Sequence, residues 1–339
     1  MKTRLINIFK TFKRHGWPIA FLRPLFLIFV VLMPMNLFSF GFEAHRQINK
    51  NAVFILPGDM LMFFKTHIDY IVAESITPDK LSRVIEDEAA NHYIDTEFYS
   101  ENFPDSVPLT YSKAFKKYGA ENMQKHGMLP WHIIKMYYRL VKAFEENDNY
   151  QILINASRLG HYVGDACTPL HTSVYYNGKT QSQRGIHNLW ETRVPSLFME
   201  EYSFITGKAE YIDNPYQYVF EMIRDTHLKV DSIFNIYNLL IDSMPSSEIF
   251  SPEVISTNNT QSFSRDFCYL FHKKMNGMIE RQIRKAIKAT GNLWLTAWVN
   301  AGQPGLDSQL SRKDRKKMKS EKKKLQEIII NPLPIGDRE

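Results

Sequence analysis

Residues 152–171 read ILINASRLGHYVGDACTPLH. Ile152, Ile154 and Leu159 begin an apolar periodicity that runs toward Asp165, and Thr168-Pro169 ends it, because proline supplies no backbone N–H to carry a helix on. Read as a helix, the stretch puts His161 and Asp165 on one face, about 6 Å apart along the axis. His171 returns just past the turn. An imidazole and a carboxylate on one face, with a second imidazole behind the stop, can supply ligands to more than one cation. A single His-x-x-x-Asp pair is also an ordinary helix-surface ion pair, so its neighbours decide how it is read.

Downstream the same device recurs in His187-Asn188-Leu189-Trp190-Glu191, again with a His and a carboxylate four apart. Trp190 is expected to pack into the core and fix the register. Upstream, Asn91-His92-Tyr93-Ile94-Asp95 follows the acidic Glu86-Asp87-Glu88, and Gly41-Phe42-Glu43-Ala44-His45 brings another His near the start of the body. Asp79 follows Thr77-Pro78 and reads either as a helix N-cap or as a ligand. Arg83, one turn later, is a candidate for neutralising an anion, or a solvated helix arginine.

The surrounding pattern is helical. Leu61, Phe64, Ile68, Ile71 and Val72 recur at helical spacing, as do Ile133, Met136, Leu140, Val141 and Phe144 after Pro130. Residues 216–243 and 263–289 read as two more long helices. Pro and Gly cluster at Pro57-Gly58, Thr77-Pro78, Gly127 to Pro130, Thr168-Pro169 and Gly302 to Gly305, which are expected connections. There is no Gly-rich phosphate loop, no βαβ alternation and no repeat, so the expectation is one all-α, multi-helix domain.

Composition agrees with a globular body: of 339 residues, 44% are hydrophobic and 13% aromatic. Two cysteines, Cys167 and Cys268, exclude a disulfide scaffold and a Cys-rich zinc module, and leave eleven histidines as the metal-binding resource. The two cysteines could pair in an oxidising space. The net charge of +6 is unevenly spread: residues 1–39 contribute +6 and 311–339 contribute +5, while 40–310 hold 26 basic and 31 acidic residues, a net of −5. A body of that sign suits cations better than polyanions.

The ends read apart from the body. Residues 1–39 carry a basic stretch, then an apolar run from Leu25 to Phe38 of 14 residues, shorter than the roughly 20 a spanning helix needs. They are expected to be a signal peptide, or an N-terminal anchor, with Ser39 a plausible cleavage position. Export to the periplasm or the medium, with possible membrane association, follows from that reading. Residues 311–339, with SRKDRKKMKSEKKK, are expected to be a basic, flexible tail or frayed helix. A sharper alternative is an electrostatic tether to anionic lipid or nucleic acid.

Taken in order, these blocks resemble the zinc-dependent phospholipase C and P1/S1 nuclease superfamily, over roughly Phe40 to Pro195. HYVGDACTPLH is similar to the family's His-x-x-x-Asp-x-x-x-x-x-His block, HNLWE to its later His-x-x-x-Asp/Glu block, and HYID to its His-aromatic block, with Asp79 thirteen residues before. The resemblance implies an all-helical phosphodiesterase with three zinc ions. Asp79, His92, His161 and Asp165 would hold one. His45, a bridging Asp165, and the amine and carbonyl of the first mature residue would hold its neighbour. His171, His187 and Glu191 would hold the third. The family usually begins on Trp; here Phe40 stands five before His45, and backbone ligation would tolerate that if cleavage leaves Phe40 first.

Such a set fits hydrolysis of a P–O ester: paired zinc ions lower the pKa of a water toward ~7, and a third can stabilise phosphoryl charge. Asp79 is expected to orient or deprotonate the water, and Tyr93 and Arg83 to face the substrate. Glu191, the 16-residue step from His171 to His187, and the negative body favour a phospholipid over single-stranded nucleic acid. Trp190 is reminiscent of the nucleases, and Tyr175 and Tyr176 suit either substrate. A P1/S1-like single-strand nuclease is the first alternative. A non-catalytic, membrane-tethered helical zinc-binding module is the second. No protein partner is implied.

Overall fold

The computed structural model describes residues 41–251 and 262–330, and the expected leader 1–39, Phe40 and residues 331–339 lie outside them. The architecture is all-α: among the described residues there is no strand, only an isolated antiparallel bridge between Phe250 and Phe263. The longer helices used below are α1 (Gly41–Val53), α2 (Leu129–Glu145), α3 (Asn149–Ala166), α4 (Pro215–His227), α5 (Val230–Ser243), α6 (Arg265–Lys274), α7 (Met278–Asn300) and α8 (Arg312–Ile330).

α3 is the axis of the fold and carries the decisive sequence. Asp148 caps its start, accepting a hydrogen bond from the Gln151 N–H at 3.0 Å. At its end the Cys167 N–H turns back to the carbonyls of Val163 and Gly164, and Pro169 prevents continuation. The short reversal from α2 is made by Asn147, whose φ of 50° lies in the left-handed region that Asn tolerates. α2 and α3 then pair along their apolar faces, burying Ile133, Met136, Leu140 and Phe144 against Ile152, Leu153, Ala156 and Leu159.

α7 locks this pair. The Trp294 indole N–H donates to the Ala156 carbonyl at 2.9 Å, and its ring stacks on Phe64 with centroids 5.0 Å apart. The Gln282 side-chain amide donates to the Cys167 carbonyl at 2.7 Å, satisfying an orphan acceptor at the end of α3. α1 lies across α3 at two glycines. A Cβ on Gly160 would stand 2.4 Å from Asn49 Oδ1, and one on Gly164 would stand 2.8 Å from His45 Nδ1. Those two bare positions set how closely α1 can bring His45 to Asp165.

Several expected helices are divided. The 61–72 periodicity is two helices, Gly58–Thr66 and Ile68–Glu74, broken at His67. The expected 216–243 helix is α4 and α5, with Leu228 exposed at the break. The expected 263–289 helix is α6 and α7, divided where Asn276 (φ 47°) and Gly277 (φ 73°) turn left-handed, and α7 runs on to Asn300. In each case two separate apolar stripes share a period, and the turn that separates them carries little hydrophobic signal. The basic run from Ser311 folds as α8 over Arg312–Ile330, seated by Lys317, whose ammonium lies 3.3 Å from Asp148 Oδ2 and above the Tyr150 ring. Cys167 and Cys268 are both free and buried; burial pushes the first thiol up to about 12 and the second to about 11.

Candidate metal centre

Five histidines and three carboxylates from separate parts of the chain meet around the C-terminal half of α3. Asp165 is their centre and is almost fully buried. Its Oδ2 lies 3.0 Å from His92 Nδ1 and 3.3 Å from His161 Nε2, and its Oδ1 lies 3.4 Å from His45 Nε2 and 3.8 Å from His171 Nδ1. Asp79 Oδ1 approaches the same pair of rings, 3.5 Å from His161 Nε2 and 3.7 Å from His92 Nδ1. It sits inside the short helix Thr77–Leu81, not at its cap, and is about a quarter exposed, so it faces solvent where Asp165 does not. Glu191 Oε2 lies 2.6 Å from His187 Nε2 and 3.1 Å from His171 Nε2. His45 bridges the two halves, 4.0 Å from Glu191 Oε1.

Local backbone explains how each arrives. His45 comes from the first turns of α1, stacked on the His161 ring at 3.9 Å. His92 follows a 3-10 helix, Glu86–Asn91, and His171 sits in a second one, Pro169–Thr172, made by the proline stop. His187 and Glu191 do not share a regular α-helix: Ile186–Asn188 passes into a π turn over Leu189–Arg193. Such a widened turn is uncommon and is frequent at functional sites. Trp190 is buried beside it, as the sequence expects.

The hydrogen bonds fix which nitrogens are bare. The His161 Nδ1 faces the Ser75 carbonyl at 2.8 Å, and the His171 Nδ1 faces the His92 carbonyl at 2.7 Å. A carbonyl only accepts, so each Nδ1 carries the proton and each neutral Nε2 presents a lone pair. Those lone pairs point at carboxylate oxygens and at one another, with His161 Nε2 only 3.1 Å from His92 Nδ1. Such an arrangement is repulsive unless protons or metal ions lie between. In the metal-free chain protons serve: burial opposes the charge on His92 and His171, yet contact with Asp165, Glu88 and Glu191 raises them to about 10 and about 9. Burial likewise opposes ionisation of Asp165 and Glu191, but the facing imidazoles hold both well below the usual carboxylate range. His45 is lowered, first by burial and then by His161. Asp165 Oδ1 and His45 Nδ1 are buried without a hydrogen-bond partner.

Three triads have ligand atoms within 4.8 Å of one another: His45–Asp79–His161, His92–His161–Asp165 and His171–His187–Glu191. Imidazole nitrogens with carboxylate oxygens form a donor set that suits zinc. The two residues expected to face the substrate make contacts of their own. Tyr93 donates its hydroxyl to the Lys125 carbonyl at 2.9 Å. Arg83 is exposed, its guanidinium over the Phe42 ring. Phe40 lies outside the described residues. Sequence reasoning missed Glu88 as a supporting group. Its Oε1 lies 3.7 Å from His92 Nε2 and accepts from the Tyr162 hydroxyl, and those contacts outweigh burial to hold it near 2. Glu88 and His92 are four apart, the same spacing as the other pairs in reverse order, which is the signal that was there to read.

No family model and no curated protein matches the sequence. Among solved structures, the alpha toxin from Clostridium absonum is similar to this chain at 14% identity and a TM-score of 0.47, covering 79% of this chain and 66% of that one. The chain therefore spans just under two thirds of the toxin's length.

Proposed function

We propose that the chain is an exported zinc-dependent phosphodiester hydrolase with three metal ions, acting on a phospholipid in the manner of a phospholipase C. The observation that carries this reading is the set of bare imidazole and carboxylate atoms converging on Asp165. His161 and His171 are fixed in one tautomer by backbone carbonyls, which prepares them as ligands before any ion arrives. Asp79, His92, His161 and Asp165 would hold one zinc. His45 and Asp165, with the Phe40 amine and carbonyl, would hold a second, and His171, His187 and Glu191 would hold the third. The ligand atoms of His45 also group with those of Asp79 and His161, within 4.8 Å of one another.

When bound, the ions supply an acidified water and positive charge for a phosphoryl oxygen. Asp79, the carboxylate of this group most open to solvent beside the rings, is placed to accept that water's proton and to orient it. Asp165 stays ionised throughout, because two or more imidazoles face each of its oxygens. The substrate reading rests on Glu191, the short step between His171 and His187, and the negative body.

The test measures zinc per chain and compares hydrolysis of phosphatidylcholine vesicles with that of single-stranded DNA and RNA. Near three zinc ions and phosphorus release from the vesicles are expected. Cleavage of nucleic acid alone replaces the substrate with that of a nuclease, and absence of both activities at full zinc loading leaves a binding module. N-terminal sequencing of the exported protein is expected to begin at Phe40. A different first residue removes the amine from the second site.

A further inference from the structure

The hydrolytic reading makes no use of α8, whose 19 residues carry nine Lys or Arg and three acidic residues. Its two faces are unlike. Met318, Leu325 and Ile329 are half-buried toward the body, lining a groove of about 940 Å³ with Tyr70, Met136 and Tyr150. Arg312, Lys316, Lys319 and Lys323, at steps of three or four residues, are exposed together on the opposite side, flanked by Arg315. Lys317 is committed inward, to Asp148 and Tyr150, and Lys322 and Lys324 border the groove with Ile328. The outward cations therefore form a strip roughly 17 Å long at ~1.5 Å per residue.

We propose that this outer face of α8 rests on an anionic lipid surface. The strip is a single convex helix face, which suits a plane of headgroups. A single nucleic-acid strand takes a basic groove with aromatic rings to stack its bases, and residues 312–330 contain no Phe, Tyr or Trp. Each cation near such a surface adds to the attraction, so these five hold the helix there without any apolar insertion of the body. The inference stands apart from the catalytic reading, because it concerns binding and leaves the metal centre untouched.

The experiment places an environment-sensitive fluorophore on the full chain at Ser320→Cys, an exposed position beside Lys316 and Lys323. Cys167 and Cys268 are buried, so the label goes to position 320. Phosphatidylcholine vesicles containing phosphatidylglycerol are expected to shift and brighten the emission, and pure phosphatidylcholine vesicles are not. About 0.5 M salt, which shortens the Debye length to a few ångströms, reverses the change. The triple variant Lys316→Gln, Lys319→Gln, Lys323→Gln in the same labelled chain should need roughly 100-fold more anionic lipid for half the signal. The label reports α8 itself, so lipid contact by residues 1–39 does not mimic the result. An emission change that is equal in neutral vesicles, survives salt, or persists unchanged in the triple variant overturns the proposal. So does a response to an oligonucleotide with none to vesicles. Hydrolysis of a soluble phosphodiester should be unaltered in the triple variant, which keeps failure here distinct from failure of the catalytic reading.

Discussion

Gly164→Ala tests whether the metal centre is built by the close approach of α1 to α3. The change lies inside a helix, where alanine is favoured over glycine by about 1 kcal/mol. Taken alone, that term predicts a more stable protein. The added Cβ, however, would stand 2.8 Å from His45 Nδ1, 3.1 Å from His45 Cε1 and 3.1 Å from Ile48 Cδ1. Ordinary contact begins near ~3.5 Å, so the ring must retreat by roughly half an ångström. It has little room, because it is buried and stacked on His161 at 3.9 Å. Metal ligands tolerate only about ±0.2 Å. The two effects therefore separate: overall stability should stay within about 1 kcal/mol of the parent, while zinc affinity at the site shared by His45 and Asp165 should fall at least ten-fold. Thermal melts of metal-loaded and chelated protein give the first quantity, and zinc competition with a chromogenic chelator gives the second. Gly160→Ala is the control. Its Cβ would meet Asn49 Oδ1 at 2.4 Å, and Asn49 is not a ligand, so that variant should lose stability with a smaller change in zinc affinity. Parental zinc affinity in Gly164→Ala would refute the contact on which the second site depends.

Asp165→Asn should remove two zinc ions per chain and reduce phosphodiester hydrolysis by at least a thousand-fold, because both oxygens of that side chain face ligand nitrogens; metal analysis on dialysed protein with an intact helical spectrum checks it, and full zinc content would remove the bridging role. Glu191→Ala should release chiefly the third ion, since Glu191 Oε2 is the shared partner of His171 and His187; loss of all three ions together would show one cooperative cluster instead of separable sites. The pH dependence has a definite sign. His92 and His171 have folded pKa values raised to about 10 and about 9, so in the metal-free protein their stabilisation is complete below the unfolded value of ~6.5 and is lost as pH rises through 9 to 10. Urea midpoints of chelated protein should therefore fall over that range. Zinc loading at pH 8 should release roughly two protons, measured by calorimetry in buffers of different ionisation enthalpy. Release near zero would show that these rings are already neutral.

Much of this was legible because the informative pairs are local. His161 and Asp165, and His187 and Glu191, are four residues apart, and any helical backbone brings such residues together. The proline stop at Pro169 is likewise a local rule, and it predicted that His171 would come back toward the same end of α3. What sequence could not give was the distant partners. Ser75 and His92 offer backbone carbonyls, which carry no signature of residue type, yet they decide the tautomers of His161 and His171. The Tyr93 hydroxyl likewise donates to the carbonyl of Lys125, 32 residues away, which no local pattern announces. The helix divisions at His67, Leu228 and Asn276-Gly277 escaped for a related reason: a turn of one or two residues leaves the apolar count almost unchanged while rotating the stripe.

The centre also shows why its polar groups cannot be treated as a set of salt bridges. A histidine–carboxylate pair is attractive only when the imidazole is protonated, and the backbone has already assigned the single proton of neutral His161 and neutral His171 to Nδ1. Each further proton placed on Nε2 makes a buried imidazolium, and His45, His92 and His161 lie close enough to repel one another when charged. Burial and the neighbouring His161 accordingly keep His45 from accepting a proton easily, although Asp165 stands 3.4 Å away. Protons can thus neutralise Asp165 and Glu191 only by crowding like charges. A divalent ion held between the same atoms would take up ring lone pairs and carboxylate charge together, which would remove that conflict. The arrangement would therefore favour metal over protons, and that preference follows from two backbone carbonyls as much as from the eight side chains of the cluster, Asp165 among them.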